Sequence, residues 1–346
     1  MKKVMHLIFI SLITLLSCSK KESCPTCPSP PTDTTSHDFR FQMFTFGGGG
    51  GSQLYDVAII NDTLAYAVGS IYLNDPLPYN LAVWNGSSWQ LRKVMVNFRG
   101  NLVTPPLEGI FTFSPTQIWL IGSLPIYGDG TNWTIYDLRT TLDPNISVSV
   151  GWGMNSNSMY FVGRGGNIIS YNGSSWTKIA SGTTLPINDI WGAYNSTTKQ
   201  WEILAVASDD VNKKILRIQG TSVSSVTDAG LSNSLYGVWF VPCEKYHVVG
   251  AGIGLKTMLD SSPWNVYPSG MVTSYMSGGV RGNNINDVFV TGSFFEIVHY
   301  NGSTWHNYKD VIPFADGGVG RVAMKGNLMI TVGLSGQNAV AIVGRR

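Results

Sequence analysis

The chain has 346 residues, a formal net charge of +2 and only 13% charged residues, about half of the roughly 25% usual in soluble domains. Lys2 and Lys3 carry the whole excess, so the remainder balances at 21 basic against 21 acidic residues; that excludes the basic footprint of a nucleic-acid binder and any electrostatic draw on acidic substrates. Hydrophobic residues at 43%, with 39 Gly and 11 Trp, point to a large core of β-strands and tight turns.

The chain opens with a short basic start and an apolar run from Val4 to Leu16. The run is too short for a spanning helix and has the shape of a secretory signal. It ends in Leu15-Leu16-Ser17-Cys18, which resembles the lipobox of bacterial lipoproteins, whose cysteine takes the lipid and becomes the first mature residue. The resemblance implies a signal peptide over 1–17, lipidation at Cys18 and membrane attachment through that lipid. Ser19, where Asp would retain the protein at the inner membrane, implies the outer membrane. The charged Lys20-Lys21-Glu22 leaves export to the cell surface open.

Residues 18–38 are rich in Pro, Ser and Thr and lack core-forming side chains, the composition of a flexible tether. Cys24 and Cys27 form a C-x-x-C around Pro25; a local disulfide, or no role, suits them better than redox chemistry in such a segment. Cys243 stands alone and is expected to be a small buried hydrophobe.

Phe39 to Phe46 (FRFQMFTF) reads as a strand leading into five glycines. Beyond it a small-apolar phrase recurs, as AYAVGS, IWLIGS, MYFVGR, ILAVAS, YHVVGA, DVFVTGS and MITVGL. Its anchors are Gly69, Gly122, Gly163, Ala207, Gly250, Gly292 and Gly333, separated by 53, 41, 44, 43, 42 and 41 residues. A period near 42 made of strand-like pieces predicts four-stranded propeller blades, and seven copies predict seven blades. The long first interval is expected to hold a loop at IYLNDPLPYN. Eleven residues before the anchors stand Ala58, Phe111, Trp152, Trp239, Arg281 and Val322, and Trp191 takes that place by pattern in the fourth copy. This position marks the innermost strand.

A second phrase appears as WNGSSW at Trp84–Trp89, YNGSSW at Tyr171–Trp176 and YNGSTW at Tyr300–Trp305. Asn-Gly is a strong hairpin signal, so the phrase is expected to join the third and fourth strands of a blade. A two-residue turn would place Ile169 opposite Trp176, Ala82 opposite Trp89 and Val298 opposite Trp305, with each Trp on the face packed against a neighbouring blade. The seventh blade runs out at Arg346 without a fourth strand. Phe39–Phe46 is expected to supply it, so that the domain spans 39–346 and no open edge remains.

Asn286-Asp287-Val288-Phe289-Val290-Thr291-Gly292 followed by Val298-His299-Tyr300-Asn301-Gly302-Ser303-Thr304-Trp305 resembles the repeat of secreted and lipid-anchored bacterial β-propeller proteins, over about residues 52–346. The resemblance implies the fold and an extracellular or envelope setting, and brings no catalytic residues. A sialidase-type turn, S-x-D-x-G-x-x-W, is approached by Gly128–Trp133, but there Asp129 and Trp133 stand four apart instead of five.

No HExxH, G-x-S-x-G, calcium-loop or phosphate-loop pattern is present, so no metal, cofactor or catalytic residue is assigned. Gly163–Gly166 is expected as a tight turn, and Asp209-Asp210 as a solvated one. The N-x-S/T sequons read as turn chemistry. Phe111, Trp152, Trp191, Trp239 and Arg281 are the candidate ligand-binding ring, since aromatic side chains and one cation at the channel mouth would suit a sugar or a peptide. The reading is a non-enzymatic envelope lipoprotein that binds protein or glycan partners. Two alternatives stand beside it: a polysaccharide-active hydrolase or lyase using carboxylates such as Glu108, Asp189 or Glu296, and a scaffold for an envelope assembly.

Overall fold

In a computed structural model, residues 33–48 and 50–346 are described. The signal peptide, Cys18, Cys24 and Cys27 lie outside them. Seven four-stranded antiparallel sheets follow one another around a central axis, as the repeat predicts. The innermost strands are Gln53–Asn61, Gly109–Ser114, Val150–Asn155, Ile187–Asn195, Leu235–Val241, Ser277–Asn284 and Gly318–Lys325, of blades one to seven in that order. The face where these strands begin is called upper here, and the face of their hairpin turns lower. The extra length in the first interval is partly the loop after Ile71 and partly an added hairpin, Val96–Phe98 with Asn101–Val103.

Closure is as expected. Arg40–Phe46 pairs antiparallel with Asn338–Arg345, from Arg40 opposite Arg345 to Phe46 opposite Ala339. It forms the outer strand of blade seven. The residues just before it, within the stretch expected as tether, lie along the lower edge of blade six. Thr35 donates through Oγ1 to the Asn286 carbonyl at 2.6 Å, Asn286 Nδ2 donates to the Asp33 carbonyl at 2.7 Å, and His37 Nδ1 meets His299 Nδ1 at 2.8 Å.

The NGSSW hairpins differ from the expected register. Tyr171 stands opposite Trp176, Trp84 opposite Trp89 and Tyr300 opposite Trp305, so four residues form each turn. The reason lies in the asparagine side chain. Asn172 Oδ1 accepts the amides of Ser174 and Ser175 at 3.1 and 2.8 Å, an Asx-type turn. Gly173 has the positive φ, 93°, while Asn172 does not. The two-residue turn expected here occurs in blade four, where Gln219 faces Ser222. The slip is by two residues, so each Trp keeps its expected face. Trp89 meets Phe46 of blade seven, Trp176 meets Trp119 of blade two, and Trp305 meets Tyr267 of blade five.

The anchor glycines have a steric cause. A Cβ at Gly250 would strike the Ser234 carbonyl, and one at Gly333 the Gly318 carbonyl. The entering main chain of the same blade therefore crosses directly over the end of the second strand. Gly250→Ala is expected to cost about 2 kcal/mol as overpacking against rigid backbone, read as a lower urea midpoint at unchanged slope.

Cys243 departs from its expected burial. It is only half-buried, sits in a turn at φ 63°, and lies 3.6 Å by Sγ from Asn195 Nδ2. His247, in the second strand of blade five, is fully buried with both ring nitrogens unpartnered. Burial, and secondarily Lys245, lowers its pKa to about 3. Above about pH 6.5 the ring is neutral in both folded and unfolded chains. Between there and about pH 3 the unfolded chain binds a proton that the folded chain refuses, so stability falls as pH falls through that window. His247→Phe is expected to remove this part of the acid loss, seen as a flatter profile of melting temperature against pH.

Candidate functional site

The channel is shaped by a defect repeated in five blades. Each of their innermost strands carries one extra residue near its start, at Tyr55, Asn188, Tyr236, Gly278 and Gly320, where pairing with the second strand skips a position. Such bulges re-aim a side chain. All five extra residues line a funnel of about 600 Å³ on the upper face, together with Gln53, Glu108 and Arg164. On blades one, four and five the extra residue brings a side chain. On the adjacent blades six and seven it is glycine, and the funnel wall there is main chain.

In three of the five bulged strands the next residue faces the waist of the channel. It is Asp56 in blade one, Asp189 in blade four and Arg321 in blade seven. Arg281 of blade six reaches the same level. Its guanidinium clamps Asp189 in a two-pronged bridge, Nη1 to Oδ2 at 2.9 Å and Nη2 to Oδ1 at 3.0 Å. Arg321 adds Nη1 at 3.0 Å from Asp189 Oδ1, and Val238 N–H donates to Oδ2 at 3.0 Å. The Arg321–Asp189 approach has ion-pair length but lacks hydrogen-bond geometry. Burial pushes the Asp189 carboxyl up, but Arg281 and Arg321 outweigh it and hold it below the ordinary range. Asp56 goes the other way. Burial raises its pKa against the pull of Arg321, although the amides of Ile110 and Val57 donate to it at 3.0 and 2.9 Å.

Below this bridge lies a chamber of about 180 Å³, lined among others by Asp56, Phe111, Trp191, Arg281 and Arg321. The candidate ring is thus only partly assembled. Phe111, Trp191 and Arg281 share the chamber, with the Arg281 guanidinium 5.0 Å above the Trp191 ring. Trp152 and Trp239 do not line it. They are 3% and 2% exposed and pack between blades, Trp152 over Gly192 and Trp239 over Gly282. All five candidate positions pair in the same register with their second strands, and a glycine of the next blade gives the rings of Trp152 and Trp239 a seat at the interface. The counted position also slips in blade seven. Ala323, not Val322, is equivalent there, because that hairpin is one residue shorter.

The three carboxylates of the hydrolase alternative are not gathered into one cavity. Glu108 lies on the funnel wall, 3.4 Å from Arg164. Asp189 is under the floor, occupied by two guanidinium groups. Glu296 is buried in blade six, accepting the amides of Ser274 and Tyr275 and the Asn307 side chain. Sequence reasoning missed Asp56 and Arg321 as axial partners and the bulge residues as funnel lining. Their signal is positional, one to three residues before the counted register, and becomes visible only once the bulges are known.

Neither a family model nor a curated protein matches the sequence. Among solved structures the chain is similar to YCF48 bound to D1 peptide, with a TM-score of 0.66, 14% identity, and 92% of this chain and 99% of that one covered. The fold is a β-propeller. It is also similar to YCF48 from Cyanidioschyzon merolae, at TM-score 0.61 and 12% identity over 88% of this chain and 98% of that one. The WD40 propeller domain of Doa1 gives TM-score 0.61 and 12% identity over 88% and 97%. At such identities the likeness concerns the fold of the propeller and leaves its ligand unspecified.

Asp189→Asn is expected to cost about 3 kcal/mol or more, because it leaves two guanidinium groups facing each other at the buried waist. The depressed carboxyl also makes stability fall with acid, as pH drops below the unfolded pKa of 3.8 and through the lower folded value. The Asn variant should lack that limb in chemical denaturation followed from pH 6 to pH 2.

Proposed function

We propose that this propeller is a non-enzymatic binding module that holds an extended segment of a protein partner across its upper face. The observation that carries this reading is the uneven bulge ring. Tyr55, Asn188 and Tyr236 fill one side of the funnel, while Gly278 and Gly320 leave bare main chain on the other. A wall without side chains leaves room for the backbone of another polypeptide to lie against it whatever its sequence. YCF48, a propeller of similar fold, has been solved bound to a D1 peptide, which supports a peptide as the kind of ligand this fold accommodates. The saturated Asp189 supports binding over hydrolysis, since a carboxylate held by two guanidinium groups is a poor proton carrier.

The module works, on this reading, as an envelope lipoprotein held at the outer membrane through Cys18. The lipobox-like Leu15–Cys18, the tether composition and the resemblance to lipid-anchored bacterial propellers support it.

The test places a photo-crosslinking amino acid at Tyr55 or, on the opposite face, at Tyr194 of the membrane-attached chain. Polypeptide adducts are expected from position 55 and not from 194. Equal labelling from both faces, or adducts to glycan alone, would sink the reading. Cys18→Ser is expected to wash from membranes at high salt, whereas the unmodified chain stays.

A further inference from the structure

The funnel is not the whole cavity of the upper face. Past Gly278 and Gly320 it continues into a recess of about 550 Å³, walled by Met276, Phe294, Leu334 and the main chain around Gly318. Gln53, Tyr236, Gly278, Gly318 and Gly320 line both. The two form one trough that crosses from the axis over blades six and seven.

At the edge of the recess, the link between the second and third strands of blade six turns in two residues. The Ser293 carbonyl accepts Glu296 N–H at 3.2 Å, and the two corners, Phe294 at φ 59° and Phe295 at φ 63°, are both left-handed. Such corners normally take Asn or Gly; two bulky side chains there hold strain. Strain persists only where the surroundings over-determine it. Here they do. Phe294 N–H donates to the Gly317 carbonyl at 2.8 Å and Ser293 N–H to that of Met276 at 2.9 Å, while buried Glu296 accepts the Ser274 and Tyr275 amides.

Phe295 has a reason in the fold. It is 2% exposed and packs with Phe289, Ile297 and Tyr308. Phe294 is 42% exposed, with its ring held at 4.4 Å from Tyr275. An Asn or Gly would make the same turn without strain, and every main-chain hydrogen bond that fixes the turn would remain. The contact with Tyr275 is what the fold takes from the ring, and its exposed part lines the recess.

We infer that Phe294 is the specificity-determining residue of the trough, receiving a large apolar side chain of an extended polypeptide that lies along the side-chain-free wall of Gly278 and Gly320. This rests on the reading of the upper face as a peptide site. The occupant follows from the lining. The glycine wall is main chain without side chains, and beyond it the recess offers Met276, Leu334 and Phe294, with Asp316 as its one charged lining residue. An extended peptide lying along the wall would carry one side chain in every two toward those groups. Rigid aromatic side chains of this kind dominate binding energies where they meet an apolar partner.

The experiment uses the full chain in detergent and a phage-displayed library of random dodecapeptides. Enriched peptides are expected to share a large apolar residue, and to bind Phe294→Asn about tenfold or more weakly, or about 1.4 kcal/mol, by calorimetry. Phe294→Asn should melt about 2 °C higher than the unchanged chain, since it relieves the left-handed strain. Phe294→Tyr should keep the binding. Enriched peptides without a shared apolar residue, or undiminished binding by Phe294→Asn, would overturn the role of Phe294 and spare the trough. Loss of binding with a lower melting temperature would make Phe294 a structural residue and overturn it too. Binding unaffected by Tyr55→Ala together with Tyr236→Ala would sink the trough reading instead, and failure to enrich any peptide would sink both.

Discussion

Seven sheets can each hide both faces only if the last is fastened to the first. Here that fastening is the pairing of Arg40–Phe46 with Asn338–Arg345, seven residues opposite seven. Without it blade seven would lack its outer strand, and Phe44 and Phe46 would leave Trp84 and Trp89 of blade one without their aromatic neighbours. The core is not a single mass but a series of interfaces between blades. Each buries one face of two sheets, so the ring shares its stability among contacts of similar kind.

The axis follows a different rule. Toward the axis the innermost strands converge, and side chains from distant blades meet across a narrow waist. The chain puts two carboxylates and two guanidinium groups there instead of apolar filling. Asp189 and Arg281 are 92 residues apart and Arg321 is further still. An ionic bridge of this sort gains little net free energy over an apolar plug. It stands between the upper funnel and the lower chamber, with Arg321 lining both.

Most of the architecture was legible because it is written as repetition. The glycine that ends the second strand recurs because a main-chain carbonyl crosses it, and the Trp after each Asn-Gly recurs because it covers the neighbouring blade. The hairpin register was misread because Asn172 acts through its side-chain oxygen, which the dipeptide signal does not distinguish from a left-handed backbone. The site was less legible. Counting back from an anchor reaches equivalent places in every blade, but not what the next blade offers the side chain there: a glycine seat for Trp152 and Trp239. Trp152 and Trp239 look like Trp191 in sequence, yet they are sealed between blades. Asp56 and Arg321 carry no motif, since their partners come from other blades.

The docked stretch ahead of the closing strand gives the molecule a direction. Thr35 and Asp33 are tied to Asn286 and, through the Thr35 amide, to Asn301, both in turns of the lower face. The described chain therefore enters the propeller from underneath, like a stem entering the base of a cup. The trough opens on the other face, with the full depth of the ring between it and that point of entry.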